Sequence, residues 1–263
     1  MKQNRQRQIL QLLEQQKCVS AEELSRSFQV SIETVRRDLY QLEKQGALKR
    51  VYGGAVLSGL PDPSSRMLPW DIRHSTNQSL KQALALEALK QIPDGSTVAL
   101  DSGTTSLAIA DLLNRRSNLT IITNDFHIAL ELTANTSHQI FFIGGSIARS
   151  ECMTTGYLAI DFLNYFSRIN IALVSTDGFN DITGLSDSNI EMGALKSAII
   201  AKSEKVIAVF DHSKFSVNCL YNVCPPERLN ILITDEMAPK KAIERLRQSG
   251  IQVLLVPVGE SDS

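Results

Sequence analysis

The run Asp101-Ser102-Gly103-Thr104-Thr105-Ser106 sets a glycine among hydroxyl side chains where an apolar run gives way to a helical pattern. Free backbone N–H groups in such a turn, the dipole of the following helix and the hydroxyls can together hold an anion such as phosphate. It is not a Walker loop, because no Gly-Lys-Ser/Thr follows, and the chain holds no G-x-G-x-x-G dinucleotide fingerprint. Alone, such a turn is more often a plain helix cap. Other apolar runs also end in small or polar residues: Thr123-Asn124, Gly144-Gly145, Thr176-Asp177-Gly178 and Asp211-x-Ser213-Lys214. A second constellation is cationic: Arg36 and Arg37, adjacent in "SIETVRRDLYQLEKQG", could meet a polyanion.

The strand-end residues need elements to carry them. From residue 77 the chain alternates helical stretches such as "SLKQALALEALKQI" and "EMGALKSAIIAKS" with short apolar runs such as "STVALD", "LTIITN", "INIALVSTDG", "KVIAVFD" and "LNILITDE". That alternation predicts βαβ units and a buried, mainly parallel sheet. In such sheets ligands sit beyond the carboxyl ends of the strands, where the polar turns fall.

The arginines belong to a different pattern. Ile9, Leu12 and Leu13 share one face of a helix expected over 4–16. Ser20 and Glu23 fit a capping box ahead of a short second helix, and Ser31 caps a third that Gly46 ends in a left-handed conformation. At about 100° per residue, Val35, Leu39 and Leu42 turn inward while Arg37, Tyr40 and Lys44 turn outward and Arg36 lies on the flank. "ALKRVYGGAVL" reads as a hairpin carrying Lys49, Arg50 and Tyr52, with Gly53-Gly54 in a tight turn at positive φ. Together these predict a winged helix-turn-helix whose third helix enters a major groove. The competing reading, a solvated face with Glu33 paired to Arg37, does not account for the hairpin and caps together.

The run Ser31-x-x-Thr34-Val35-Arg36-Arg37-Asp38-Leu39, then Leu42, Gly46 and Arg50-x-x-Gly53-Gly54-Ala55, resembles the DNA-binding signature of DeoR-type regulators of sugar operons. The resemblance implies that Ser31, Thr34, Arg36 and Arg37 face an operator. An arginine can bond guanine O6 and N7, Tyr40 and Tyr52 lie on the same basic surface, and Lys49 and Arg50 can hold flanking phosphates. Asp38 is expected to orient an arginine. The trailing half, with "LDSGTTS", "ITN", "GG", "STDG", Lys196 and "DHSKF", resembles the effector domain of that family, which is similar to the ribose-5-phosphate isomerase fold. The resemblance implies a phosphorylated sugar as effector. Asp101, Ser102, Gly103, Thr104, Thr105 and Ser106 would surround its phosphate or nearby hydroxyls. Gly144, Gly145 and Gly178 would line the pocket, and Asn124, Asp177, Lys196 and Lys214 would supply polar and charged contacts. In the isomerases a glutamate precedes the lysine that resembles Lys196. Here that position is Leu195, and Glu191 lies five residues away. This favours a sensor over the alternative, an isomerase-like enzyme with an N-terminal interaction module.

Charge and composition fit two parts. Residues 1–56 hold ten Lys or Arg against six Asp or Glu, and residues 57–263 hold 17 against 22, giving about +4 and −5. The reading is therefore α/β: a winged helix-turn-helix over 1–57, a Pro- and Ser-rich linker over 58–75, and a Rossmann-like, mainly parallel effector and oligomerisation domain over 76–263. Trp70, in the linker, is expected to pack on that later domain. No apolar segment approaches the roughly 20 residues that span a bilayer, and "MKQNRQRQ" carries no secretory pattern, so the expected location is cytoplasmic. Cys18, Cys152, Cys219 and Cys224 are read as reduced thiols, and Cys219 and Cys224 with His212 lack metal-ligand spacing. No catalytic residue, metal or cofactor is expected. The expected partners are double-stranded operator DNA, a phosphorylated sugar and further copies of the chain in a dimer or tetramer. His127 is read as a helix-surface residue, and Arg149 is left open between phosphate, a neighbouring subunit and solvent.

Overall fold

The computed structural model describes residues 2–16, 18–51, 54–57, 70–149 and 151–258. The chain divides into two compact units, Met1–Gln78 and Ser79–Ser263.

The first unit begins with α1 (Lys2–Gln16), β1 (Cys18–Ser20), α2 (Ala21–Phe28) and α3 (Ile32–Lys44), followed by β2 (Leu48–Val51), β3 (Gly54–Leu57) and α4 (Trp70–Ser75). Ile9, Leu13, Val19, Leu24, Val35, Leu39, Leu42 and Leu48 form its core, each aliphatic contributing ~1.5–3 kcal/mol by leaving water. Ser20 Oγ accepts from Glu23 N, the serine half of the expected capping box, and Ser31 Oγ accepts from Thr34 N. Gly46 sits at φ +72, just past α3. Three findings differ from the sequence reading. The residues before α2, read only as the approach to a cap, form β1, which pairs with β3 to make a three-stranded sheet in the order β1-β3-β2. Gly54 is not in the positive-φ region; it is required by close approach, since a Cβ there would lie 2.0 Å from Val19 O. Trp70, expected in the linker, opens α4, which packs beside β1 within the first unit, and its ring stacks on His74 at 4.6 Å.

The second unit is built on α5 (Gln78–Leu89), β4 (Thr97–Leu100), α6 (Thr104–Ala110), β5 (Thr120–Thr123), α7 (Phe126–Asn135) and β6 (Gln139–Phe142). After them come β7 (Ser146–Ala148), β8 (Met153–Thr155), α8 (Tyr157–Phe162), β9 (Ile169–Val174), β10 (Gly178–Asn180), β11 (Gly184–Asp187) and α9 (Ile190–Lys202). The chain finishes with β12 (Ser203–Val209), β13 (Tyr221–Cys224), β14 (Ile231–Asp235), α10 (Lys240–Gln248) and β15 (Gln252–Val256). Seven strands make one parallel sheet in the order β15-β14-β12-β9-β4-β5-β6. Alternate residues face opposite layers: Val98 and Leu100 join the layer of α5, α6 and α7, whereas Ala99 joins that of α8, α9 and α10. Strand order reverses between β4 and β9, which makes the gap beyond their carboxyl ends the topological switch point. Two small antiparallel sheets, β7-β8 and β10-β11-β13, were not foreseen. Their strands are three or four residues long, too short to show a period of two.

Candidate functional sites

In the first unit, α2 ends at Gln29 with φ 52, and Ser25 Oγ donates to Val30 O, which fixes a tight turn into α3. Arg36, Arg37, Tyr40, Lys44 and Arg50 are exposed on the far side from the core. Neither arginine is paired with Glu33 among the described residues. The Tyr40 ring is flanked by Lys44 Nζ at 4.9 Å and Arg50 Cζ at 5.6 Å from its centroid, so the third helix and the hairpin share one cationic surface. Arg50 N also donates to Glu43 Oε1 at 2.7 Å, tying β2 to α3. Ser31 and Thr34 are engaged locally, their hydroxyls 2.8 Å apart at the helix cap. Asp38 is only 1% exposed and holds Arg5, with Nη2–Oδ2 at 2.6 Å, while Gln6 donates to its Oδ1. The arginine it orients is therefore in α1, because Asp38 lies on the inner face of α3 between Val35 and Leu42. Tyr52 and the side chain of Lys49 lie outside the described residues.

At the switch point the second unit gathers a buried polar cluster. Lys196, on α9 and 5% exposed, reaches Asp187 Oδ2 at 2.8 Å and Asp101 Oδ2 at 3.1 Å, and donates to Ser175 O at 2.8 Å. Asp101 also accepts from Ser175 N, and Asp187 Oδ1 accepts from Asp177 N. Asp177, half-buried, accepts from Ser188 N through Oδ2. Burial pushes Asp101 up to about 6 against the pull of Lys196, and burial likewise raises Asp187. For Lys196 burial disfavours the ammonium, but Asp101, Asp187 and Asp177 outweigh it and hold the proton above the usual lysine range. One cation faces three carboxylates, so the cluster suits hydroxyl donors better than an anion.

The 101–106 turn runs beside this cluster. Ser102, Thr104, Thr105 and Ser106 are buried, and Gly103, at φ 121, precedes α6 without a side-chain cap. Helix α6 has seven residues, so the turn's own N–H and hydroxyl groups matter more than a helix dipole. Asn124 donates from Nδ2 to Thr154 O, and its buried Oδ1 has no hydrogen-bond partner. Lys214 sits in a short turn whose neighbour Phe215 bridges Phe179, next to Gly178. Gly178 itself is buried in β10, where a Cβ would lie 2.5 Å from Val217 O, so it serves close backbone packing. Gly144 and Gly145 are exposed; a Cβ on Gly145 would meet Thr155 O at 2.5 Å. Sequence reasoning missed Ser175, Asp187, Asp125 and the pair Thr155–Glu191, whose hydroxyl donates to Oε2 at 2.9 Å. Asp125 had a readable signal, an aspartate immediately before a helical run; Asp187 had none.

Other expectations resolve locally. Leu195 is buried in the hydrophobic core. His212 Nδ1 lies 2.9 Å from the fully buried Asp235. His127 is half-buried near Asp125, at 3.4 Å. Burial raises the thiol of Cys224 to about 11, and raises that of Cys219. Among the described residues no helix is long and apolar enough to cross a membrane.

Both units match known families. Residues 5–59 match the DeoR-like helix-turn-helix domain, and residues 76–236 match the DeoR C terminal sensor domain. The chain belongs to the DeoR family. This DeoR-type chain is 35% identical to the glycerol-3-phosphate regulon repressor of Escherichia coli K12, covering 94% of this chain and 96% of that one. It is 32% identical to the HTH-type transcriptional regulator GolR of Listeria innocua, over 95% and 96%. The Bacillus subtilis HTH-type transcriptional repressor GlcR is 30% identical over 96% and 95%. A ribose 5-phosphate isomerase of Methanocaldococcus jannaschii shares 16% identity over 53% of this chain and 55% of that one, with a TM-score of 0.40. The DeoR-type chain is a DNA-binding transcriptional regulator with a sensor domain, and not an enzyme.

Proposed function

We propose that this DeoR-type regulator represses an operon for uptake or breakdown of a sugar or polyol and releases its operator when a phosphorylated form of that compound binds at the switch point. The observation that carries the reading is the buried Asp101–Lys196–Asp187 cluster at the carboxyl ends of β4 and β9, adjoining the hydroxyl-rich 101–106 turn. The turn's N–H groups with Ser102, Thr104, Thr105 and Ser106 would hold the phosphate. Asn124 and Asp177 would accept from hydroxyls, and Lys214 would balance charge from the facing loop. Gly144, Gly145 and Gly178 would shape the backbone around these groups without touching the effector. The relatives named as repressors, one for a glycerol-3-phosphate regulon, support the direction of control and the phosphorylated class.

On the DNA side, Arg36 and Arg37 would enter the groove, with Tyr40, Arg50, Lys49 and Tyr52 along the flanking backbone and Ser31 and Thr34 at the start of the helix. One head reads few base pairs, so an oligomer holding two heads at fixed spacing is part of the proposal, as is a cytoplasmic location beside the DNA. Full-length protein with double-stranded DNA from upstream of its own gene tests the head. Affinity should fall linearly on a log–log salt plot, and Arg36→Ala or Arg37→Ala should each lose about tenfold and, for a phosphate contact, flatten the slope by ~1. Salt-independent binding, or both variants binding like the parent, would refute the placement. Thermal shift with triose to hexose phosphates and their unphosphorylated counterparts tests the sensor, since a ligand of the folded state raises the melting temperature. A response to none of the phosphorylated compounds would refute the effector class.

A further inference from the structure

We propose that Asp125 is a positioning residue whose carboxylate fixes the 101–106 turn in its ligand-gripping shape; the proposal rests on the effector reading above. Asp125 lies between β5 and α7 and is 1% exposed. Its two oxygens have separate tasks. Oδ1 caps α7 by accepting from His127 N at 2.8 Å and Ile128 N at 3.2 Å, and Oδ2 accepts from Gly103 N at 3.1 Å. Gly103 sits at φ 121 and ψ 169 and gains no side-chain cap, so this bond sets the direction of its peptide.

The post that bears the bond is itself braced. Asn124 Nδ2 donates to Thr154 O, Asn124 O accepts from Thr154 N at 2.9 Å, and Asp125 bridges Met153. The turn is thus tied through one carboxylate to β5, α7 and the β7-β8 hairpin. Three N–H donors disperse the charge of Asp125, which limits its repulsion of a phosphate in the turn. A turn held in the bound shape before the ligand arrives gives up less ordering entropy on binding.

The division of labour between the oxygens supplies the test. Asp125→Asn can keep its Oδ1 on the α7 cap while its NH2 faces the Gly103 N–H, donor against donor. Asp125→Ser can still cap α7, as serine commonly does, but is too short to reach Gly103. With full-length protein, the probes are the phosphorylated sugar that gives the parent its largest thermal shift, and inorganic phosphate followed by the Gly103 amide in a 15N-labelled sample. Both variants should bind the phosphorylated sugar about tenfold more weakly, the loss expected of one charge-assisted hydrogen bond. They should keep operator affinity within twofold, and the Gly103 amide proton should move upfield as it loses a charged acceptor. Unchanged ligand affinity in either variant would overturn the proposal. So would a tenfold loss accompanied by an equal loss of operator affinity, which would mark a merely structural role. If the parent itself binds no phosphorylated compound, the effector reading fails first and the proposal with it.

Discussion

Replacing Lys196 by methionine removes the one cation that both Asp101 and Asp187 touch. The two carboxylate oxygens lie 3.1 and 2.8 Å from the same ammonium, so they stand no more than about 6 Å apart. At an effective dielectric constant of about 20 their mutual repulsion would be ~3 kcal/mol. Stripping one partner from a buried ion pair costs about 3–5 kcal/mol in general, which brackets this value. For a unit of this size that is a fall of roughly 10 °C in melting temperature. The loss should depend on pH in a defined sense. In the parent, burial raises the Asp101 carboxyl from its ordinary 3.8 to about 6, so between those values the folded state binds the extra proton and stability falls as pH rises. Above that window the burial cost is fully expressed. Lys196, whose ammonium the carboxylates stabilise, contributes in the opposite sense: its contribution is complete below the ordinary lysine range and is lost only at strongly alkaline pH. Without Lys196 the carboxyls shift further up, so the variant should be penalised most at pH 8. At pH 5, where the orphaned carboxyls take up protons, it should recover at least ~2 kcal/mol. Adding Asp101→Asn and Asp187→Asn should restore most of the loss at pH 8. Calorimetry across pH 5–8 measures it. A loss below ~1 kcal/mol, or one independent of pH, would refute the electrostatic account of the cluster.

Two further outcomes follow from the geometry. Gly54→Ala would place a Cβ 2.0 Å from Val19 O and force β1 and β3 apart, costing ~2–3 kcal/mol. Trp70, the only tryptophan, lies in the same unit, so its fluorescence during urea unfolding should report an earlier transition for that unit; an unchanged midpoint would show that the strands tolerate the methyl group. Thr104→Glu puts a negative charge where phosphate is expected, so operator binding should persist while phosphorylated sugars no longer release it. Retention of the effector response would take Thr104 out of the site.

The sequence alone determined what depends on neighbours along the chain. Helix caps at Ser20 and Ser31, the inward stripe of Val35, Leu39 and Leu42, and the apolar runs that became all seven parallel strands are local matters of period and hydrogen-bond supply. The ends of those runs marked the polar turns as candidates, and the family likeness added Lys196. Only the tertiary structure decided which charges meet. Asp38 pairs with Arg5, 33 residues away, and Lys196 with Asp101, 95 residues away, because helices and strands distant in the chain pack against each other. Short strands such as β1, β10 and β11 also escaped the sequence, since three or four residues carry too little pattern and form by pairing with partners found elsewhere. Asp187 lies on one of these, and its role was invisible until β11 brought it to within 2.8 Å of a buried ammonium. A carboxylate's function there is set by the low dielectric and the single cation it shares, and neither is a property of the residues beside it in sequence.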